Sequence, residues 1–204
     1  MRTVLLLRHG QTEWNAERRL QGWAPVELSE RGREQAAALG AEVAASHDVD
    51  EVVASDLART RETAEHVAEA TDAPLRFDRG WRERGFGVYQ GLPYAAIQER
   101  HPEYDLRENS IVGLPATPEG AESVAEVRGR VLDAWEGLHA EAHGTVAVVA
   151  HGGPLHFVLG DLKGLGTAES LRAGRQGNCA INEVRRNGDG GFRIVRENHR
   201  DHLG

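Results

Sequence analysis

Short apolar runs alternate with amphipathic stretches along most of this chain, and that alternation limits the fold more than any other feature. TVLLLRH, EVVASDL and TVAVVAHGG read as buried strands. SERGREQAAALGAEVAAS and ARTRETAEHVAEAT carry apolar residues at helical spacing. Strands that alternate with helices predict a parallel sheet with helices on both sides. We therefore predict an α/β fold, a three-layer α/β/α sandwich around a central, mostly parallel sheet.

The remaining segments fit the same fold. PLRFD reads as an edge strand because proline opens it, and AESVAEVRGRVLDAWEGLHAEA carries a helical apolar stripe. AINEVRR, NGDGG and FRIVREN read as a final hairpin. Residues 80–120 are rich in glycine, proline and aromatic side chains, and are predicted to be irregular except for a short helix near YAAIQER. Because no linker or repeat interrupts the chain, residues 1–204 are predicted to form one domain.

Charge and hydropathy exclude several kinds of partner. A net charge of −8 argues against a general affinity for nucleic acid or an anionic membrane, so a bound anion needs a local cluster of positive charge. No apolar run is long enough to cross a bilayer, and MRTVLLLRHG lacks the pattern of a signal peptide, which predicts a soluble, cytoplasmic protein. The single cysteine, Cys179, excludes an internal disulfide and a thiolate metal site.

Charged and titratable residues stand at the ends of all three predicted core strands. Arg8 and His9 end the first strand, Arg59 and Arg61 follow the second, and His151 ends the third. In open α/β sheets, ligands bind beyond the carboxyl ends of the strands. Arginines gathered at one rim would form an anion site, because the planar guanidinium binds two phosphate oxygens at once. Taken singly, these residues could equally be a structural pair, a solvated helix face and a strand-end histidine.

Five segments, in the same order, resemble one known family. LLLRHGQTEWN is similar to the signature of the histidine phosphatase superfamily, whose phosphoglycerate mutase branch gives the fold its usual name. RLQGWAPVELSERGREQA, ASDLARTRETA, WRERGFGVYQG and VAHGG match further segments of that family, and the matches together span most of residues 3–160. The resemblance implies a phosphoglycerate mutase-like fold. Five ordered matches also favour the functional interpretation of the strand-end residues over the structural one.

The resemblance implies a role for each strand-end residue. His9 is the nucleophile: its neutral imidazole attacks phosphorus and becomes a phosphohistidine, which water hydrolyses. Arg8, Arg59 and His151 would surround the transferring phosphoryl group and stabilise the charge on its oxygens. Because arginines supply the positive charge, neither a metal nor another cofactor is expected. Arg61 does not match the arginine of the family's S-x-L-x-R pattern and is expected on the surface.

Four further positions are assigned by the resemblance. Glu83, in RERGFG, matches the acid that gives the leaving oxygen its proton, although it could instead be a loop glutamate paired with a neighbouring arginine. Asn15 and Gln21 match positions that hydrogen-bond the phosphoryl group or the substrate. Asn15 could equally cap the following turn. Gly152 would offer a backbone N–H at the start of a helix.

The same residues can serve a phosphatase or a mutase, depending on whether water or a second substrate hydroxyl takes the phosphoryl group. Mutases of the family carry a longer basic insertion after the acid, whereas residues 84–120 hold three arginines and no lysine. Gln21 also stands where many phosphatase members have glutamine. We predict a metal-independent phosphomonoesterase that acts on a small-molecule phosphomonoester. A cofactor-dependent phosphoglycerate mutase is the alternative, and a catalytically silent module that binds phosphorylated ligands is the third reading.

The predicted final hairpin also bears on assembly. Its edge strands would present unpaired backbone groups, which could pair across a homodimer.

Overall fold

The computed structural model describes residues 3–141, 144–188 and 190–204. The strands and helices occur in this order: β1 Thr3–Arg8, α1 Glu13–Ala16, α2 Glu30–Ser46, β2 Glu51–Ala54, α3 Ala58–Thr71, β3 Leu75–Phe77, α4 Tyr94–Arg100, α5 Val124–Glu141, β4 Thr145–Ala150, α6 Gly152–Leu162, α7 Thr167–Arg172, β5 Ile181–Arg186 and β6 Phe192–His199. Within these described ranges, no helix combines the length and the hydropathy that crossing a bilayer requires.

The six strands form one sheet in the order β3-β2-β4-β1-β5-β6. β1, β2, β3 and β4 pair in parallel, whereas β5 and β6 pair in an antiparallel manner. The predicted mostly parallel sheet, edge strand and final hairpin are therefore confirmed. The predicted turn between β5 and β6 includes residue 189, which lies outside the described residues. Because β1 lies beside β4 with Arg8 opposite Ala150, the residues that follow these two strands emerge next to each other.

Two helical layers cover the sheet, as the alternation predicts. On one face, Val4 and Leu6 of β1 pack in a cluster that includes Val131 of α5. On the other face, Leu5 and Leu7 pack in a cluster with residues of α2 and α3. Each such side chain contributes on the order of 1.5–3 kcal/mol when fully removed from water. Burial on both faces explains why β1 is a continuous apolar run that ends abruptly in a charge.

The irregular segment between β3 and α5 is held by a buried arginine. Arg84 is completely buried, and its guanidinium donates hydrogen bonds to backbone carbonyls. Nε donates to Glu122 O (2.8 Å), Nη1 to Val112 O (2.9 Å) and Leu114 O (2.6 Å), and Nη2 to Ala116 O (2.8 Å). These bonds compensate for the lost hydration of the charge. The segment is thus fixed by its backbone, and the predicted short helix within it is α4.

The loop after β1 packs against the start of α2 without room for side chains. A Cβ on Gly10 would lie 2.5 Å from the carbonyl oxygen of Gly32, and a Cβ on Gly32 would overlap the carbonyl oxygen of Gln11. Ser29 caps α2: its hydroxyl accepts a hydrogen bond from Gly32 N (3.1 Å) and donates one to Gln11 O (3.1 Å). The start of α2 therefore fixes the backbone immediately beyond His9.

Gly32→Ala is expected to lower the free energy of unfolding by about 2 kcal/mol or more, because the new methyl group has no space. Urea denaturation measures this change. Gly137→Ala is the matched control, since a Cβ at this α5 position meets nothing within 4 Å. That variant should be more stable by up to about 1 kcal/mol, because alanine favours helix over glycine. Equal stability of the two variants would contradict the close packing at Gly32.

Candidate active site

The carboxyl ends of β1 and β4 bring two histidines together. His9 follows β1 and donates a backbone hydrogen bond to Ala150 O (3.1 Å), and His151 is the residue before α6. Their ring centroids are 5.1 Å apart with an angle of 58° between the planes. Both side chains are buried. Residues from distant parts of the sequence thus meet at the edge of the sheet where α/β proteins bind ligands.

The imidazole of His9 is held in a single tautomer. Its Nδ1 lies 2.7 Å from the carbonyl oxygen of Gly10. Because a carbonyl only accepts, Nδ1 carries the proton and Nε2 keeps its lone pair. Burial, and then the positive charges of Arg59 and Arg8, lower the pKa of His9 well below its ordinary value. The ring is therefore neutral at physiological pH, with Nε2 available as a nucleophile.

His151 is also neutral and holds one unused nitrogen. Its Nε2 lies 2.9 Å from the hydroxyl of Ser55, which follows β2. Burial, and then the charge of Arg59, lower the pKa of His151 well below its ordinary value. Its Nδ1 is buried and has no hydrogen-bond partner among the described residues.

The buried guanidinium of Arg59 and the half-buried guanidinium of Arg8 supply positive charge beside these rings. Arg59, in the first turn of α3, donates from Nη2 to the carbonyl oxygen of Gly22 (2.8 Å), and Arg8 donates to the carbonyl oxygen of Gln176. Burial lowers the pKa of Arg59 to about 10, so the guanidinium stays charged at neutral pH. Neither arginine forms an ion pair within the described part of the chain. An anionic ligand would compensate for both charges, which have lost part or all of their hydration.

Several buried polar atoms at this place lack a partner. In native proteins nearly all such atoms are hydrogen-bonded, so an unused group marks a place where a ligand or water binds. Eight buried side-chain nitrogen or oxygen atoms have no partner in the described ranges, and four belong to residues that the sequence predicts to be functional. These four atoms are Arg8 Nε, Arg59 Nε, His151 Nδ1 and Gln21 Oε1. Three of them are nitrogens close to His9, which is the composition of an anion site.

The carboxyl group of Glu83 lies at the start of α6. Its Oε1 accepts a hydrogen bond from Arg84 N (2.9 Å), and its Oε2 accepts one from Gly153 N (3.2 Å). A Cβ on Gly153 would overlap Oε1, so the helix approaches the carboxyl group as closely as glycine allows. The alternative of a pair with Arg82 or Arg84 is not observed. Arg82 binds Asp56 through two bonds of 2.6 and 2.7 Å, and the Arg84 guanidinium binds backbone carbonyl oxygens.

Arg130 of α5 positions the loop that carries Glu83. Its Nη1 donates to the carbonyl oxygens of Gly80 (2.9 Å) and Arg82 (3.0 Å), and its Nη2 donates to that of Glu83 (3.3 Å). Its Nε and Nη2 also bind the Glu122 carboxylate, at 2.9 and 2.8 Å. Sequence analysis missed Arg130, since an arginine on the polar side of an amphipathic helix carries no signal of its own.

The other predicted binding residues lie in different surroundings. Asn15 forms a capping box with Thr12, because its Oδ1 accepts from Thr12 N (3.1 Å) and Thr12 Oγ1 accepts from Asn15 N (3.1 Å). The capping alternative is thus observed for Asn15, which also lines the cavity described next. Gly152 is the first residue of α6 and lines the same cavity. Gln21 is buried and does not line this cavity.

A cavity of about 510 Å³ opens beside this cluster. Arg8 and Glu83 both line it, whereas His9, Arg59 and His151 are buried next to it. A volume of this size accommodates a small organic molecule in addition to a phosphate. The described residues contain no group of three or more His, Cys, Asp or Glu side chains that could hold a metal ion. Arg61, as expected, is exposed and stacks on Phe77 (3.9 Å).

His156, in the cavity wall, makes stability depend on pH. Burial, and then the positive charge of Arg8, lower the pKa of His156 from 6.5 to about 4. As pH falls below 6.5 the unfolded chain protonates this ring, but the folded chain does not until about pH 4. The free energy of unfolding therefore falls across this interval. A shift of this size corresponds to about 3 kcal/mol.

His156→Gln removes this ionisable ring. Between neutral pH and pH 4, the variant is expected to lose about 3 kcal/mol less stability than the unchanged protein. Urea denaturation at a series of pH values measures the stability of both proteins. Because the two proteins have the same carboxylates, the difference between their curves is the contribution of His156. Parallel stability curves for the two proteins would contradict the low pKa of His156.

Comparison with known proteins identifies the family. The sequence model of the histidine phosphatase superfamily, branch 1, matches residues 4–200. The chain therefore belongs to the histidine phosphatase superfamily, as the order of its motifs indicates. The expectation of a phosphatase-type enzyme with this fold is confirmed.

Individual relatives carry both phosphatase and mutase names. A probable phosphoglycerate mutase, GpmB of Shigella boydii, is 34% identical over 187 residues, which cover 90% of this chain and 85% of that protein. The structure of a mycobacterial glucosyl-3-phosphoglycerate phosphatase in complex with VO3 is 33% identical, with a TM-score of 0.82 over 97% of this chain and 99% of the other. YhfR of Bacillus stearothermophilus is 28% identical, with a TM-score of 0.89 over the full length of both chains.

Proposed function

We propose that this protein is a metal-independent phosphomonoesterase that transfers the phosphoryl group of a small phosphorylated metabolite to Nε2 of His9 and then to water. One observation carries the proposal: Nδ1 of His9 is occupied by the Gly10 carbonyl, so a neutral Nε2 is available between buried positive charges. A neutral nitrogen nucleophile beside fixed guanidiniums suits attack on an anionic phosphate.

In the first step, the lone pair of His9 Nε2 forms a bond to phosphorus while the bond from phosphorus to the substrate oxygen breaks. Arg8 and Arg59 stabilise the negative charge on the phosphoryl oxygens, and His151 provides a further polar contact. Glu83 gives its proton to the departing alcohol oxygen. In the second step, Glu83 takes a proton from water, which attacks phosphorus. The P–N bond breaks, and orthophosphate and neutral His9 are released.

The surroundings of the three arginines in residues 84–120 support hydrolysis rather than the mutase reaction, in which a second substrate hydroxyl accepts the phosphoryl group. Arg84 is bound to carbonyl oxygens in the interior, and Arg100 lies over the ring of Tyr89 (5.5 Å). Arg107 lines the cavity but is paired with Asp105 (2.9 Å). Of these three arginines, only Arg107 therefore lines the cavity, and its charge is already paired with that of Asp105. The name of the GpmB relative keeps phosphoglycerate mutase as the second candidate.

Hydrolysis of p-nitrophenyl phosphate with EDTA present tests the proposal. We expect turnover that is unaffected by the chelator, because the positive charge comes from arginines. Absence of turnover, or its loss with EDTA, would contradict a metal-independent phosphatase. The mutase candidate is tested by adding 2,3-bisphosphoglycerate to 3-phosphoglycerate: rapid isomerisation with little orthophosphate would favour it over the phosphatase.

A further inference from the structure

Two arginines facing the cavity have no acidic partner. Most arginines of this acidic chain are engaged: within the cavity wall, Arg107 binds Asp105 and Arg172 donates to Asn109 (2.8 Å). In contrast, the exposed guanidiniums of Arg18 and Arg175 make no hydrogen bond or ion pair with other described residues, and both line the cavity. The cavity therefore holds two unpaired positive charges in addition to that of Arg8.

Tyr94 lines the same cavity and is close enough to both arginines for their charges to act on its phenol. It begins α4 and lines the cavity, and the guanidinium carbon of Arg18 is 5.9 Å from its ring centroid. Its hydroxyl has no hydrogen-bond partner among the described residues. Burial, and to a smaller degree the negative charge of Glu83, raise the pKa of the Tyr94 phenol, and the charges of Arg8, Arg18 and Arg175 offset this only in part. The hydroxyl therefore keeps its proton and can donate to an anion.

The acidic residues that line the cavity are not paired with Arg18 or Arg175. Glu83 and Glu108 are the acidic residues of the lining. Glu83 is hydrogen-bonded to backbone N–H groups at the start of α6, and Glu108 is an exposed neighbour of Arg107. Neither forms an ion pair with Arg18 or Arg175. The cavity thus offers a second place for an anion in addition to the one beside His9.

We propose that Arg18, Arg175 and Tyr94 form a subsite for a second anionic group of the substrate. The natural substrate would then be a phosphomonoester that also carries a carboxylate or a second phosphate. This inference rests on the proposed phosphatase function and specifies the substrate class of that site. A guanidinium binds a carboxylate and a phosphate through the same pair of parallel hydrogen bonds, so both groups fit this subsite. The substrate pairs below distinguish a carboxylate from a second phosphate.

Matched substrate pairs test the subsite. 3-Phosphoglycerate and glycerol 3-phosphate differ by a carboxylate, and fructose 1,6-bisphosphate and fructose 6-phosphate differ by a phosphate. We expect kcat/KM to favour the member with the extra anion about 10-fold or more in one of the pairs. The pair that shows the preference identifies the second group as carboxylate or phosphate. No preference in either pair would overturn the inference.

Substitutions then assign the preference to these residues. Arg18→Gln and Arg175→Gln should each reduce the preference for the substrate with the extra anion about 10- to 100-fold, or abolish a preference that is smaller than this. Tyr94→Phe should reduce the preference less, because a neutral hydroxyl contributes less than a charge. Arg61→Gln, on the surface of α3, is the control and should keep the full preference. A preference that survives in both arginine variants would overturn the assignment.

The proposed function and this inference fail in different ways. If the protein hydrolyses neither p-nitrophenyl phosphate nor any member of the pairs, the phosphatase function itself is wrong. If it hydrolyses the esters that carry a single anionic group as efficiently as their partners, the function stands and the second subsite is wrong.

Discussion

His9→Ala is expected to reduce the hydrolysis of p-nitrophenyl phosphate by about 10⁴-fold or more, because it removes the atom that forms the covalent intermediate. The loss should appear in kcat, since Arg8, Arg59 and His151 remain to bind the phosphate. Steady-state kinetics measure the change, and added imidazole is expected to restore part of the rate by occupying the space of the missing ring. A residual rate within about tenfold of the unchanged protein would contradict the role of His9.

The variant must be shown to fold. His9→Ala removes the hydrogen bond to Gly10 O and leaves a small cavity, so a moderate decrease in Tm is expected. Arg61→Gln is the comparison for activity, because Arg61 is a nearby arginine on the exposed side of α3. It should retain the activity of the unchanged protein. Equal losses in the two variants would show that the effect is not specific to the nucleophile.

Glu83→Gln is expected to have an effect that depends on the leaving group. Glutamine cannot donate the carboxylic proton, so kcat for glycerol 3-phosphate should fall by about 10²–10⁴-fold. p-Nitrophenolate leaves without protonation, so phosphoryl transfer from p-nitrophenyl phosphate to His9 should slow much less, although the later hydrolysis of phosphohistidine slows for both esters. A single-turnover measurement of phosphoryl transfer from each ester separates this step from the later hydrolysis.

Glu108→Gln provides the matched control for Glu83→Gln. Glu108 is a second carboxylate in the same cavity, and no contact places it at the start of α6. Its substitution should not produce a loss that depends on the leaving group. If Glu83→Gln slows single-turnover phosphoryl transfer from both esters to the same extent, Glu83 does not act as the acid and its contacts with Arg84 N and Gly153 N are structural.

The sheet and its helical layers could be predicted from the sequence because burial on two faces requires continuous apolar strands and amphipathic helices. The strand-end residues Arg8, His9 and His151 were recognised for the same physical reason: a charge or titratable ring at the end of a buried strand requires compensation. The pairing of β1 with β4, which brings the two histidines to 5.1 Å, could not be derived from local pattern. It depends on which strands become neighbours in the folded chain.

Other parts of the site left no recognisable pattern. Arg84 and Arg130 bind backbone carbonyl oxygens, which every residue possesses, so no partner residue marks these contacts in the sequence. Arg18, Tyr94 and Arg175 come from three separate segments of the chain and line one cavity only in the folded protein. Asn15 does have a recognisable pattern, but the pattern fits two roles. Its side chain both caps α1 and lines the cavity, so the sequence could not decide between capping and binding.

The central claim is that His9 carries the phosphoryl group during turnover. Rapid mixing with p-nitrophenyl phosphate, a quench in alkali that preserves phosphohistidine, and mass spectrometry of the resulting peptides test it most directly. We predict a phosphoryl group on the peptide that contains His9, formed and lost at rates consistent with kcat. It should be absent from His9→Ala. A phosphorylated residue elsewhere, or full turnover with no phosphorylated His9 at any time, would contradict the account.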